Sequence, residues 1–469
     1  MSPYAIGHRL EPFVDRTLVA DMVNTRLELL RPVSAGRVFT FDRPWEGPLC
    51  GYGTVLRDGN RFLLYYRGMP VSANDKNHAQ CTCVALSDDG IHWERPELSF
   101  HEVAGCARNN VILFGKGDVE HNFAPFIDEN PASDPAVRFK GVGGHCDSGL
   151  FLYGSADGIE WHPLQDGPML PPKPPEVKNW WYDSQNVLFW STEEECYVCY
   201  FRLTDVYRSV ARRTSPDLVQ WSDLELMEYG DTVREQLYTN QTHPYVRAPH
   251  ISLAICARFM PGRQVLSDEQ GDELGFLKDP SGTGYWHDCS DAVFMTTRGG
   301  NHYDRTFMEA YIRPGPDPAN WGSRCNYPVR GVIETAADEL SFYADRHNAQ
   351  PGKFLERFTL RPDGFAAVRA PYAGGSFTTV PLVLPEGELV LNVATAAVGQ
   401  VRVEVQDVGG HPLPGLTLAD CGTIIGDDLS RPVRWCDPAS LAARVGQHVR
   451  LHFEMKDADL FSIQFRPGS

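Results

Sequence analysis

The stretches SDDGIHW (Ser87–Trp93), SADGIEW (Ser155–Trp161) and SPDLVQW (Ser215–Trp221) repeat one pattern, about 60 to 70 residues apart. Each follows a short run with strand character: CTCVAL, GLFLYG and RSVARRT. The Ser/Asp/Gly portion is turn chemistry, so each stretch reads as the end of one strand, a turn, and a Trp opening the next. A repeat of this length that holds several short strands predicts propeller blades. A four-stranded blade cannot bury both faces alone and must stack on its neighbours.

Working outward, five such strand sets can be laid along the chain, with first strands opening at Gly51, Phe123, Ser184, Thr242 and Tyr327. The fifth set ends on GFAAVRAPY (364–372), and the polar, Gly-rich insertion from Gln264 to Cys289 in the fourth is expected to be a surface loop. Past Ala373-Gly374-Gly375 the pattern changes to period-two runs such as ELVLNVATA and VRVEVQD, which reads as an antiparallel β-sandwich. The predicted fold is therefore all-β: an N-terminal segment over 1–35 that packs on or closes the ring, a five-bladed β-propeller over 36–374, and a β-sandwich over 376–469. RTLVADMVNTRLELLRPV (16–33) reads as a short helix plus a closing strand.

The 469 residues carry a net charge of −18, which disfavours a phosphate-backbone partner, so no nucleic acid is expected. No membrane is expected either, because no run approaches the length of a spanning segment. Charged residues near the start, Arg9, Glu11, Asp15 and Arg16, argue against a signal peptide, and a cytoplasmic location is the expectation. The 12 cysteines then read as reduced thiols. Cys196 and Cys199 form a CxxC on a strand, where that spacing sends the thiols to opposite faces, and Cys81 and Cys83 lack a second pair at zinc-ribbon spacing. No metal and no cofactor are expected, and the oligomeric state is left open.

In a propeller, residues before the first strand and after the second meet at one end of the channel. Collecting them brings together Glu46, Glu120, His121, Asn122, Asp183, Asn240, Gln241, His243 and Asn326, with Arg67, His145, Arg202, Arg258 and His347 from the second-strand ends. Convergent polar groups in a concavity mark ligand pockets. The competing reading, for any one of them, is a structural ion pair.

WEGPLCGYGTVLRDGNRFLLYYR (45–67) resembles the opening blade of glycoside hydrolase family 32, and WYDSQNVLFWSTEEECYVCYF (181–201) resembles that family's second acidic motif. SPDLVQW resembles a strand that recurs in five-bladed propeller glycosidases, and families 43 and 68 share that core. Glu46 stands where family 32 has Asp, Tyr182 and Ser184 flank Asp183 in place of Arg and Pro, and the third acidic motif is not recognisable. The resemblance implies a glycoside hydrolase acting on a small glycan or glycoside, a furanoside or an anionic sugar included. An inert carbohydrate-binding propeller and a glycoside phosphorylase are the rival readings. Glycoside cleavage needs two carboxyl groups. The first choice is Glu46 as nucleophile or base, with Trp45 as sugar platform; the second is Asp183, after the aromatic Tyr182. Glu120 or Glu235 is expected as general acid. Arg67, Arg202 and Arg258 recur at one blade position, where guanidinium forks would hold a carboxylate, a sulfate or, in a phosphorylase, phosphate.

Overall fold

The computed structural model describes residues 3–70, 79–174, 181–437 and 439–467. They fall into two compact units, Pro32–Thr359 and Met1–Arg31 with Leu360–Ser469.

The first unit is a five-bladed propeller of five separate antiparallel sheets. The innermost strands are Gly51–Asp58, Ala124–Ile127, Val187–Ser191, the broken pair Leu237–Thr239 and His243–Tyr245, and Ile333–Ala336. The ring is closed by the chain start: Val33–Thr40 pairs with Phe354–Leu360 as the outer strand of blade five. That strand takes the place expected for GFAAVRAPY, whose Ala366–Ala370 pairs instead with Arg26–Leu29 and with His448–Arg466 in the second unit.

The repeated motif staples blades together. Ser87 Oγ accepts from the amides of Asp89 and Gly90, and Asp89 Oδ1 accepts from those of Ile91 and His92. Ser155–Asp157 and Ser215–Asp217 build the same turn. Its left-handed corner is Gly90 (φ 72°) and Gly158 (φ 80°), but Leu218 (φ 67°) in blade three, where a Cβ makes it costlier. The corner carbonyls of Gly158 and Gly90 accept from Tyr65 and Tyr343, one blade back around the ring. Trp161 and Trp93 pack edge-on against the same tyrosines. The tryptophans follow the turns and stand just outside the strands: the outer strands are short, one opening directly after Trp161 at His162 and the others later, at Val111 and Glu225.

The insertion of blade four is more than a loop. Ser267 caps the short helix Asp268–Glu273 through a capping box. Leu266, Phe276 and Trp286 pack with Cys325 and Ala349 into a small core of their own.

The second unit joins nine strands in one antiparallel network. Its two long strands, Glu388–Asp407 and His448–Arg466, pair along most of their length. Residues 16–33 form no helix; Val19–Val23 and Arg26–Leu29 are strands of this unit. All twelve cysteines are free. No helix among the described residues is long and apolar enough to cross a membrane.

Candidate active site

Every blade has a non-glycine residue in the left-handed region at the start of, or on the approach to, its innermost strand: Tyr52 (φ 50°), Asn122 (φ 59°), Tyr182 (φ 58°), Gln241 (φ 54°), and in blade five both Arg324 (φ 61°) and Asn326 (φ 66°). A conformation that L-residues rarely adopt, repeated in every blade at one end of the channel, is backbone strain collected at a single place. We call that end the upper mouth. Below it the channel is plugged by amides. Gln185 donates to Thr54 Oγ1 (2.9 Å) and accepts from Gln241 (2.7 Å), which also donates to the Pro328 carbonyl (2.8 Å). Blades one, three, four and five are thus tied across the axis, and the upper mouth is separated from the opposite end.

Asp183 is the focus of the upper mouth. Its side chain keeps a third of its surface exposed. One oxygen accepts from Arg202 Nη2, and the other lies 3.9 Å from His121 Nε2. Burial works against its ionisation, but Arg202, His121, Arg324 and His145 outweigh it and hold the carboxyl below the ordinary aspartate value. His121 and His145 meet edge to face, ring centroids 5.0 Å apart. Arg202 lies over the ring of Tyr238 at 4.6 Å, and its Nε and Nη1 are buried without a hydrogen-bond partner. Burial would raise the Tyr238 phenol, yet Arg324 and Arg202 together bring it below its ordinary value. Arg67 donates to Asn122 (2.9 Å) and to the Leu49 carbonyl (3.0 Å) and lies over Tyr52 at 4.6 Å.

Beside these, Tyr52, Arg67, Arg324, Tyr327, Asp345 and Lys353 line a small cavity. Asp345 is 4% exposed. Burial pushes its carboxyl up, against the pull of Lys353 and Arg67, and its Oδ1 has no partner. A neighbouring hollow of about 150 Å³ is lined by Tyr238, Arg324 and Arg208 together with Asp279, Thr283 and Tyr285 of the insertion. The segment expected to be a mere surface loop therefore walls this hollow.

No family model matches the chain, and no curated protein matches it. Solved structures do. One is a glycoside hydrolase, 14% identical, covering 72% of this chain and 95% of its own, with a TM-score of 0.46. Another is a family 43 arabinoxylan arabinofuranohydrolase from Bacillus subtilis, in complex with cellotetraose: 12% identity, 91% and 97% coverage, TM-score 0.41. A third is a β-1,2-mannobiose phosphorylase from Listeria innocua in complex with β-1,2-mannobiose: 10% identity, 69% and 94% coverage, TM-score 0.41.

Of the residues expected from sequence, Asp183, His121, His145, Arg202, Arg67 and Asn122 do come together. Glu46 does not join them. It is fully buried, and its oxygens accept from Arg95 Nε (2.7 Å), Arg95 Nη2 (3.0 Å), Tyr66 (2.7 Å) and the Arg43 amide (2.9 Å). With its acceptor sites filled, it is a structural carboxylate. Trp45 is likewise buried, donating to Asn110 (2.9 Å), and offers no platform. Glu235 sits between Arg258 (2.7 Å) and Arg305 (2.6 Å), and Arg258 is clamped by its cross-strand neighbour Asp291. This is a structural ion network.

Glu120 is 1% exposed, raised by burial, with Oε1 on the Lys116 amide and Oε2 unpartnered; its charged neighbours are Lys116 and Asp118. Tyr182 packs edge-on against Phe201 and is fully buried. Asn240 caps the Thr242 amide (2.9 Å), Gln241 belongs to the plug, and His243 faces the opposite end. Asn326 bonds the Ser290 carbonyl (2.8 Å) and Arg346, while His347 pairs with Asp317 (2.7 Å).

Tyr52, Tyr238, Arg324 and Asp345 were not anticipated. Asp345 did carry a signal: in LSFYADRH it stands two residues after Tyr343, as Arg67 follows Tyr65 and Arg202 follows Tyr200. That register points to Asp345 rather than His347. A metal-compatible geometry also emerges, since His121, His145 and Asp183 offer ligand atoms within 4.8 Å of one another. The Arg202 guanidinium on the same carboxylate competes with a cation there.

Proposed function

We propose that the chain is a glycan-processing enzyme that hydrolyses a glycosidic bond of a small acidic glycan at the upper mouth. The observation that carries this reading is a pair of carboxyl groups in unlike surroundings near Arg324 and Tyr52: Asp183, a third exposed against Arg202, and Asp345, buried with Lys353 Nζ 3.4 Å away. Asp183 is held ionised by its arginines and histidines, Asp345 is pushed up by burial, and both border Arg324 and Tyr52. Opposite shifts of this kind divide base from acid. Asp345 gives its proton to the departing glycosidic oxygen as the C–O bond breaks. Asp183 takes a proton from the water whose oxygen bonds the anomeric carbon. The positive charge of Arg202 and Arg67 at the mouth favours a carboxylate on the sugar.

The test is a panel of aryl glycosides, uronides beside neutral pyranosides and arabinofuranosides, assayed with and without phosphate. Phosphate-independent release, fastest from a uronide, is the expected outcome. Release that requires phosphate and yields a sugar phosphate would replace hydrolysis with phosphorolysis. Saturable glycan binding without release from any member would make the propeller an inert binding module.

A further inference from the structure

The end of the channel opposite the upper mouth holds a further cavity, of about 240 Å³, beyond the Gln185–Gln241 plug. Phe126, Phe189, Trp190 and Val332 supply its apolar wall, and Arg330 stands beside them, with Arg57, Glu129, His243 and Glu334 also lining the cavity. Arg330 is 4% exposed. Its Nη1 donates to the Pro125 carbonyl (3.1 Å), and its buried Nε has no partner. Among the described residues it makes no ion pair within 4 Å.

The charged and titratable groups around it compensate that guanidinium only in part, through the attraction of Glu129 from beyond ion-pair distance. Glu334 is shared by Arg57 (3.5 Å) and Arg247 (3.6 Å). Glu129, exposed, lines the cavity but forms no salt bridge with Arg330. His243 donates through Nδ1 to the Gln241 carbonyl and accepts the Val332 amide at Nε2, so it is held neutral, its imidazole pushed down to about 4 by burial. Burial likewise pulls the Arg330 guanidinium down to about 10. A buried cation without a contacting counter-ion is costly. The fold gains no ion pair from it in return, because the strand contacts at this position are backbone bonds, Arg330 N to the Gly53 carbonyl and Val55 N to the Arg330 carbonyl.

We propose that this cavity binds a small monocarboxylate with a flat apolar body, its carboxylate on Arg330 and its body among Phe126, Phe189 and Trp190. A guanidinium edge matches a carboxylate in geometry and charge. The volume lies below the roughly 300–1,000 Å³ of pockets for drug-sized ligands, so the ligand is small. The proposal is independent of the chemistry at the upper mouth, since the plug lies between them.

The probe is sodium benzoate, titrated calorimetrically into the full chain, with benzamide as the neutral analogue and sulfate as the anion lacking an apolar body. Benzoate is expected to bind saturably and raise the melting temperature, with benzamide and sulfate at least about tenfold weaker. Arg330→Met should abolish benzoate binding while leaving glycoside turnover unchanged, and without lowering the melting temperature of the ligand-free protein. Val246→Trp, at the exposed rim of the cavity, should block binding by filling it and serves if the first variant misfolds. Benzamide or sulfate binding as well as benzoate would overturn the proposal. So would benzoate binding that survives in both variants, or no saturation by about 10 mM.

Discussion

Glu46 and Asp183 both lie on loops that lead into an innermost strand, and both hold an arginine, yet they end in opposite states. Glu46 is sealed in blade one, with Arg95, Tyr66 and a backbone amide filling its oxygens. Asp183 in blade three keeps a third of its side-chain surface open, and its arginine retains two nitrogens without partners. A carboxylate whose acceptors are all satisfied within the chain does structural work. One held ionised but left partly open has capacity for a ligand.

The widest separation between the two should appear in turnover. Asp183→Asn is expected to lower it by about three to five orders of magnitude, roughly 4–7 kcal/mol of transition-state stabilisation, with the fold intact. Turnover per folded molecule, on whichever glycoside the panel identifies, checks this. A loss below tenfold would place Asp183 with Glu46 as a structural group.

Glu46→Gln should act on stability instead. Breaking a buried pair leaves Arg95 only the exposed Asp42, 3.6 Å away, as counter-charge, and the expected loss is at most about 3–5 kcal/mol in urea unfolding, with turnover per folded molecule unchanged. The pH profile sharpens the comparison further. Because the carboxyl of Asp183 lies below its ordinary value of 3.8, the acid limb of turnover should fall below that value too. The stabilisation from its pairing is present above the unfolded-state value and is lost as pH falls through the lower folded-state value. An acid limb at or above the ordinary aspartate value would contradict this and point to another group. The smallest effect is expected for Tyr66→Phe, which removes one hydrogen bond to Glu46 and one from Asn110, at about 1–3 kcal/mol and with normal turnover.

Blades three and four offer a second contrast, in Arg202 and Arg258. Both follow an aromatic or apolar run near the end of a second strand, and sequence alone ranked them together. Arg202 turns to the channel and Asp183, whereas Arg258 lies opposite Asp291 on the next strand and is neutralised there. Which face a side chain takes depends on register, and the broken innermost strand of blade four, with shifts at Leu237/Thr239 and Pro244/Tyr245, is where register was hardest to read.

The residues alone determined what is local. Serine and aspartate turns capped by backbone amides, apolar strands of the right length and their repetition were enough to specify five blades, because these features are settled within about seven residues of chain. The chemistry of the upper mouth was partly legible too, since second-strand ends such as Arg67 and Arg202 recur in step. Only the tertiary structure decided the rest. It assigned Val33–Thr40 to close blade five and Ala366–Ala370 to the other unit, through pairings between strands more than 300 residues apart. It filled Glu46 with Arg95 and left Asp183 open, and it set Asp345, Tyr238 and Arg324 beside one another from two blades. Whether a polar group is satisfied is a property of its neighbours in space, and those neighbours come from parts of the chain that no local pattern connects.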